Sequence, residues 1–141
     1  STVELRGTIR SFQPDIRDLV LRRFKDIVSN VAIAMECEVE ITLKSITPAV
    51  VNHELVTMRV QQVAAKVLPE SIIHKDHRTM GSEDMALFLK EIPGCFVFIG
   101  SANHEKSLDY AHHHPRFDID ERALINGVTL MTGAVLDFLQ K

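Results

Sequence analysis

The sequence is short of cysteine and of aromatic residues, has no excess of positive charge, and contains no internal repeat or low-complexity linker. Cys37 and Cys95 are too few and too far apart for a disulfide framework or a paired-cysteine site. Two free, mostly buried thiols in a reducing, cytoplasmic compartment are the expectation. A formal net charge of -3 argues against a nonspecific nucleic-acid partner. Aromatic residues make up 6% of the chain and no basic stripe interleaves with them, which argues against a single-strand binder. No apolar run reads as long enough to span a bilayer, so no membrane partner is expected. No signal peptide is visible, but the numbering opens at Ser1, which leaves a removed presequence open.

What is present suits one domain or two pieces of a larger one: 141 residues, 45% of them hydrophobic. Thr2 to Phe12 reads as a strand, with Val3, Leu5 and Ile9 set against Glu4, Arg6, Thr8 and Arg10, and with Gly7 interrupting. Pro14 and Asp15 open a helix whose apolar residues (Ile16, Leu19, Val20, Phe24, Ile27, Val28) recur at helical spacing to about Met35. Glu38 to Ile46 alternates like a strand with one wet face. Thr47-Pro48 breaks this strand–helix–strand pattern and places a domain boundary at about Thr47–Asn52. Beyond it, Asn52 reads as the cap of a helix from Glu54 to Leu68 stopped by Pro69. Ser71 to Lys75 reads as a short strand. Ser82 reads as the cap of a helix ending at Glu91, with Glu83 and Asp84 in its first turn. Cys95 to Gly100 has no polar alternation and reads as a strand buried on both faces. A last helix runs from about Glu121 to Leu139.

Chemistry concentrates in His112-His113-His114-Pro115-Arg116-Phe117-Asp118. A neutral imidazole is a common zinc ligand. Pro115 stiffens the backbone beside it and pushes His114 toward an extended conformation. Asp118 or Asp120 can cap the following helix. A histidine tract alone is equally compatible with a polar surface loop. His74, Asp76 and His77 read as a polar loop. Arg10, on the wet face of the first strand, fits either a surface ion pair or a grip on a substrate carboxylate.

Three motifs in order, Gly7-Thr8-Ile9-Arg10-Ser11-Phe12, Met80-Gly81-Ser82-Glu83-Asp84-Met85 and His113-His114-Pro115-Arg116-Phe117-Asp118, carry a family resemblance. The chain resembles the C-terminal half of the metallo-amidohydrolases that include hippurate hydrolase, N-acyl-amino-acid aminoacylase and indoleacetyl-amino-acid hydrolase, relatives of the co-catalytic zinc carboxypeptidases. The resemblance implies an α+β and α/β fold. Residues 1–48 would be the second half of a ferredoxin-like lid that also dimerises, and 49–141 the C-terminal part of the catalytic domain. It implies His113 as the family's last metal ligand. Gly81, Ser82 and Glu83 would lie on the floor of the active site near substrate; Arg10 is a candidate substrate contact only on its own reading above, beside the surface ion pair. The general base and the other ligands would lie upstream, outside this sequence.

The expected whole enzyme would hold two divalent ions, zinc or manganese, and cleave the amide of a small N-acyl amino acid. The isolated chain would be inactive, metal-free or weakly metal-bound, and would form a homodimer or otherwise self-associate. Two other readings stand beside it: a non-catalytic α+β dimerisation or ligand-binding module, and a stand-alone metal-binding protein using the histidine run.

Overall fold

The computed structural model describes residues 2–140. Among these residues four α-helices follow one another: α1, Pro14–Ala34; α2, Glu54–Val67; α3, Met85–Glu91; and α4, Arg122–Leu139. A 3-10 turn occupies His104–Lys106. The chain divides into two compact units. One holds the residues up to Val51 together with Arg78–Lys90, and the other holds Asn52–His77 and the residues from Glu91 onward.

In the first unit α1 forms where the periodicity predicts it. Pro14 occupies its first turn, where a missing N–H costs nothing, and Gln13 before it is extended. The helix ends on Glu36, whose φ of 54° is left-handed, and the Cys37 N–H donates to the Ala32 carbonyl at 2.9 Å. That is the hydrogen-bond pattern of a left-handed helix stop, with a glutamate where glycine is usual. Arg17 donates to Ser45 Oγ at 2.8 Å. No residue of α1 is buried. Its apolar stripe is sufficient for helix formation but has no full cover.

The strand expectations fail, and with them the ferredoxin-like half-lid and the α/β layer. Among the described residues the only β pairing is an isolated bridge between Asn103 and Leu108. The segments Thr2–Phe12, Glu38–Ile46, Ser71–Lys75 and Cys95–Gly100 carry no ladder. Alternation tells which face of a strand is apolar, but a strand also needs a neighbour to pair its N–H and C=O groups. Without one the apolar side chains stay in solvent: Leu5 is 91% exposed and Phe98, expected to be buried on both faces, is 53% exposed. One side chain makes a partial substitute. The Asn52 amide accepts from the Phe96 N–H at 2.8 Å and donates to the Phe96 carbonyl at 2.9 Å, as a neighbouring strand would. Asn52 therefore does not cap α2; His53 flanks that helix, and its own N–H donates to the Gly94 carbonyl.

The core of the second unit is the contact between α2 and α4. Val60, Val63 and Leu130 are buried there, with Val56, Ala64, Val67, Cys95 and Ala134 packed around them. Gly133 sets the distance of approach: a Cβ on it would stand 3.1 Å from a Val63 methyl and 3.2 Å from a Val67 methyl. Arg59 of α2 donates to both the carboxylate and the carbonyl of Asp137 on α4 and lies 4.2 Å from the Phe138 ring centroid. Cys95 is half-buried, and that burial pushes its thiol pKa up, whereas Cys37 is exposed, contrary to expectation; both are free. By length and composition alone α4 could also cross a membrane, which the sequence reading did not pick out. Here its Leu130 is buried against α2.

Asp120 organises the start of α4. It is 5% exposed. One carboxylate oxygen accepts the Arg122 N–H, so Asp120 and not Asp118 supplies the cap. The carboxylate also takes the Arg122 guanidinium at 2.6 Å and the Asn103 amide, and the Asp120 N–H donates to the Ser101 carbonyl. The Arg122 guanidinium, followed by the Asn103 amide, holds the Asp120 carboxyl well below the usual carboxylate range.

Two outcomes follow from this packing. Val63, at 3% exposure, cannot give way, so Gly133→Ala gains helix propensity but overpacks the contact and loses about 1 kcal/mol net, read as a lower urea midpoint. Gly127→Ala, where the nearest atom is 3.9 Å away, gains stability instead; stabilisation by both would remove close approach as the role of Gly133. For Asp120, the folded pKa lies below the unfolded value of about 3.9, so its stabilisation is present above that pH and is lost as pH falls through and below it. Asp120→Asn keeps a cap acceptor but not the charge. Its thermal midpoint should be lower than wild type at neutral pH, and it should fall less steeply on acidification.

Candidate functional site

Four of the five residues singled out from the sequence come together in the first unit. Arg10 donates from Nη1 to the Met80 carbonyl, which anchors the first segment to the turn before α3. In that turn Ser82 Oγ and Thr47 Oγ1 share a hydrogen bond of 2.7 Å. Ser82 is thus tied to Thr47 rather than acting as a helix cap. The Glu83 and Asp84 carbonyls instead accept the N–H groups of Ala86 and Leu87 and start α3. Gly81 lies under the Glu83 carboxylate: a Cβ there would be 3.8 Å from Glu83 Oε1. Arg10, Gly81 and Ser82 are exposed and Glu83 is half-buried. The arrangement is an exposed guanidinium beside a short polar turn, a geometry that can hold a carboxylate.

His113 belongs to the second unit. Two successive turns share His114. Its N–H donates to the Ala111 carbonyl at 3.1 Å, closing the first, and its carbonyl accepts the Phe117 N–H at 2.9 Å, opening the second. His113 is the third residue of the first turn and has φ 69°. That position is usually glycine or asparagine, and a left-handed residue with a Cβ costs about 1–2 kcal/mol.

The three imidazoles are not equivalent. His114 Nδ1 accepts the Arg116 N–H at 3.1 Å, and its ring stacks on Tyr110 with centroids 4.4 Å apart and planes 9° off parallel. With Nδ1 accepting, a neutral His114 carries its proton on Nε2 and has no free lone pair. His112 packs edge-on against Phe117 at 4.8 Å. His113 is exposed, and its ring has no hydrogen-bond or stacking partner among the described residues. Arg116 closes the assembly by donating to Tyr110 Oη at 3.1 Å.

The other histidines are placed differently. His77 meets Phe98 edge-on, and His74 and Asp76 line a shallow open depression with it. His104 Nδ1 lies 2.7 Å from Asp109 Oδ2, a pair that sequence reasoning missed because its spacing matches no helical or strand period. Tyr110 and Arg116 were missed as well, since nothing in their spacing signals a stacked and hydrogen-bonded clamp. Among the described residues no three His, Cys, Asp or Glu side chains form a group able to hold a metal ion.

Comparison with known proteins supports the resemblance carried by the three motifs. The description Peptidase family M20/M25/M40 matches residues 4–137. YhaA of Bacillus subtilis, assigned as an amidohydrolase, is 32% identical over 96% of this chain and 34% of its own length. The N-acetyl-L-cysteine deacetylase of Bacillus subtilis is 34% identical over 88% of this chain and 28% of its own. Thermostable carboxypeptidase 2 of Saccharolobus solfataricus is 29% identical over 98% of this chain and 35% of its own. The chain thus spans about a third of the length of the relatives it matches. No solved structure matches it. With the family description covering residues 4–137 of 141, this chain belongs to the peptidase family M20/M25/M40.

Proposed function

We propose that the chain is the C-terminal part of a metal-dependent amidohydrolase that hydrolyses the amide bond of N-acyl amino acids or small peptides. The observation that carries this reading is the free, exposed His113 imidazole, set on a left-handed turn between two histidines whose rings are engaged elsewhere. His113 fits the role of a single nitrogen ligand. The remaining ligands and the general base belong, in this proposal, to the part of a family-length protein outside this sequence. A divalent ion, zinc or manganese, bound at such a site supplies Lewis-acid polarisation of an amide carbonyl and a nucleophile at neutral pH. Each unit is read by itself: in the second, His113 would hold the ion, and in the first the exposed Arg10 guanidinium, beside Gly81, Ser82 and Glu83, is a candidate grip on a substrate carboxylate. Related proteins named for deacetylation of N-acetyl-L-cysteine and of N-acetyldiaminopimelate support this substrate class.

The division into residues 1–48 and 49–141, and a reducing, cytoplasmic location suited to the free thiols of Cys37 and Cys95, are part of the same proposal. A stand-alone metal-binding protein is less well supported, because it needs several donors converging within this chain. The dimerisation module rested on a strand–helix–strand unit that does not form. Self-association of the isolated chain is supported by exposed apolar residues on α4, including Leu124, Ile125, Val128, Met131 and Val135.

In a family-length protein carrying this sequence, His113→Asn tolerates the left-handed backbone while removing the imidazole. It should lose bound metal and at least about a hundredfold in kcat/KM, whereas His112→Ala should stay within about threefold. The isolated chain with zinc, manganese or cobalt should not turn over N-acetyl amino acids. Metal-dependent turnover by the isolated chain, abolished by His113→Asn, would sink the proposal that a general base lies outside it. Sedimentation velocity at rising concentration should show the isolated chain moving from monomer to dimer or higher species. A monomer throughout would mean that the exposed faces do not drive association.

A further inference from the structure

We propose that His114 is a positioning residue, whose Nδ1 and ring face hold the turn that presents His113. The inference rests on the reading of His113 as a ligand and assigns a role to its neighbour that the family match does not. Three contacts converge on the His114 side chain and its partners. Nδ1 accepts the Arg116 N–H at 3.1 Å. The ring lies flat on Tyr110, centroids 4.4 Å apart. Arg116 returns to Tyr110 through a guanidinium–hydroxyl bond of 3.1 Å. The loop formed by Tyr110, His114 and Arg116 is closed.

The bond from His114 Nδ1 to the N–H two residues on has the form of an asparagine side chain in an Asx turn, with Pro115 at the middle position. Pro115 restricts the His114 backbone, and the side chain locks what the ring of proline begins. Because His114 is also the closing residue of the turn that contains His113, fixing it fixes the left-handed backbone there. The same bond commits the His114 lone pair, so the locked neighbour cannot compete with His113 for an ion. Two adjacent histidines thus have separate tasks: one keeps its nitrogens free and the other commits its Nδ1 lone pair to geometry.

Two substitutions separate the parts of this role. His114→Phe keeps a flat ring to stack on Tyr110 but has no acceptor. His114→Asn keeps an acceptor at the right reach but loses the stack. In the 141-residue chain, NMR should show a strong intraresidue amide–Hα cross-peak at His113, the sign of positive φ, and slow exchange of the Arg116 amide. His114→Phe should lose both signals, and His114→Asn should regain them in large part. In the family-length protein His114→Phe should weaken zinc binding by roughly ten- to a hundredfold, and His114→Asn should recover most of that loss. If His114→Phe leaves the cross-peak, the Arg116 exchange and the zinc affinity unchanged while His113→Asn still loses the metal, the positioning role is overturned and the ligand reading stands. If His114→Asn behaves like His114→Phe, the Nδ1 acceptor is not what holds the turn, which also overturns it. If His113→Asn keeps its zinc, the reading of His113 itself is wrong, whatever His114 does.

Discussion

Gly133 lets α4 come close enough to α2 for Val63 and Leu130 to be buried between them, and the second unit is assembled on that contact. A methyl at this point would press on two valine side chains, one of them almost wholly out of solvent. Arg59 ties the same pair of helices together near the end of α4 through Asp137. At the other end of α4, Asp120 joins the helix start to Asn103 and to the Ser101 carbonyl. The turn that carries His113 lies just upstream of this anchored start. An apolar close approach and a buried carboxylate therefore do the work of positioning a loop whose own residues are exposed.

Within that loop the distribution of nitrogen lone pairs matters more than the number of histidines. Three adjacent imidazoles would suggest three interchangeable ligands. Instead, one is stacked and hydrogen-bonded, one packs against an aromatic edge, and one is left open at a strained backbone position. Left-handed backbone at a residue with a Cβ persists only where its surroundings over-determine it. Here the surroundings are Tyr110, His114 and Arg116. In the first unit a comparable economy holds the polar turn before α3: Arg10 and Thr47 anchor it through Met80 and Ser82 while the Arg10 guanidinium remains exposed.

The helices were legible because their information is local. Periodic apolar residues, Pro14 at the start of α1 and Pro69 after α2 are sufficient to place them within a residue or two. The family was legible for a similar reason, since short motifs in a fixed order survive whatever the chain around them does. The position of Arg10 next to the Met80–Glu83 turn, by contrast, joins residues far apart in sequence, and no periodicity predicts it.

From the sequence alone came the helical segments, the candidate histidine run and the family. The absence of a sheet among the described residues, the use of Asn52 as a stand-in strand for Phe96, the choice of Asp120 over Asp118 as cap, and the exposure of Cys37 were decided only in three dimensions. The physical reason is the same in each case. A helix satisfies its own backbone, so its sequence suffices to specify it, whereas a strand, a cap between two equal candidates or a buried thiol depends on which other group arrives as partner. His113 shows the division within one residue: its capacity to bind a metal is a property of its side chain, and its freedom to do so is set by the partners its neighbours find.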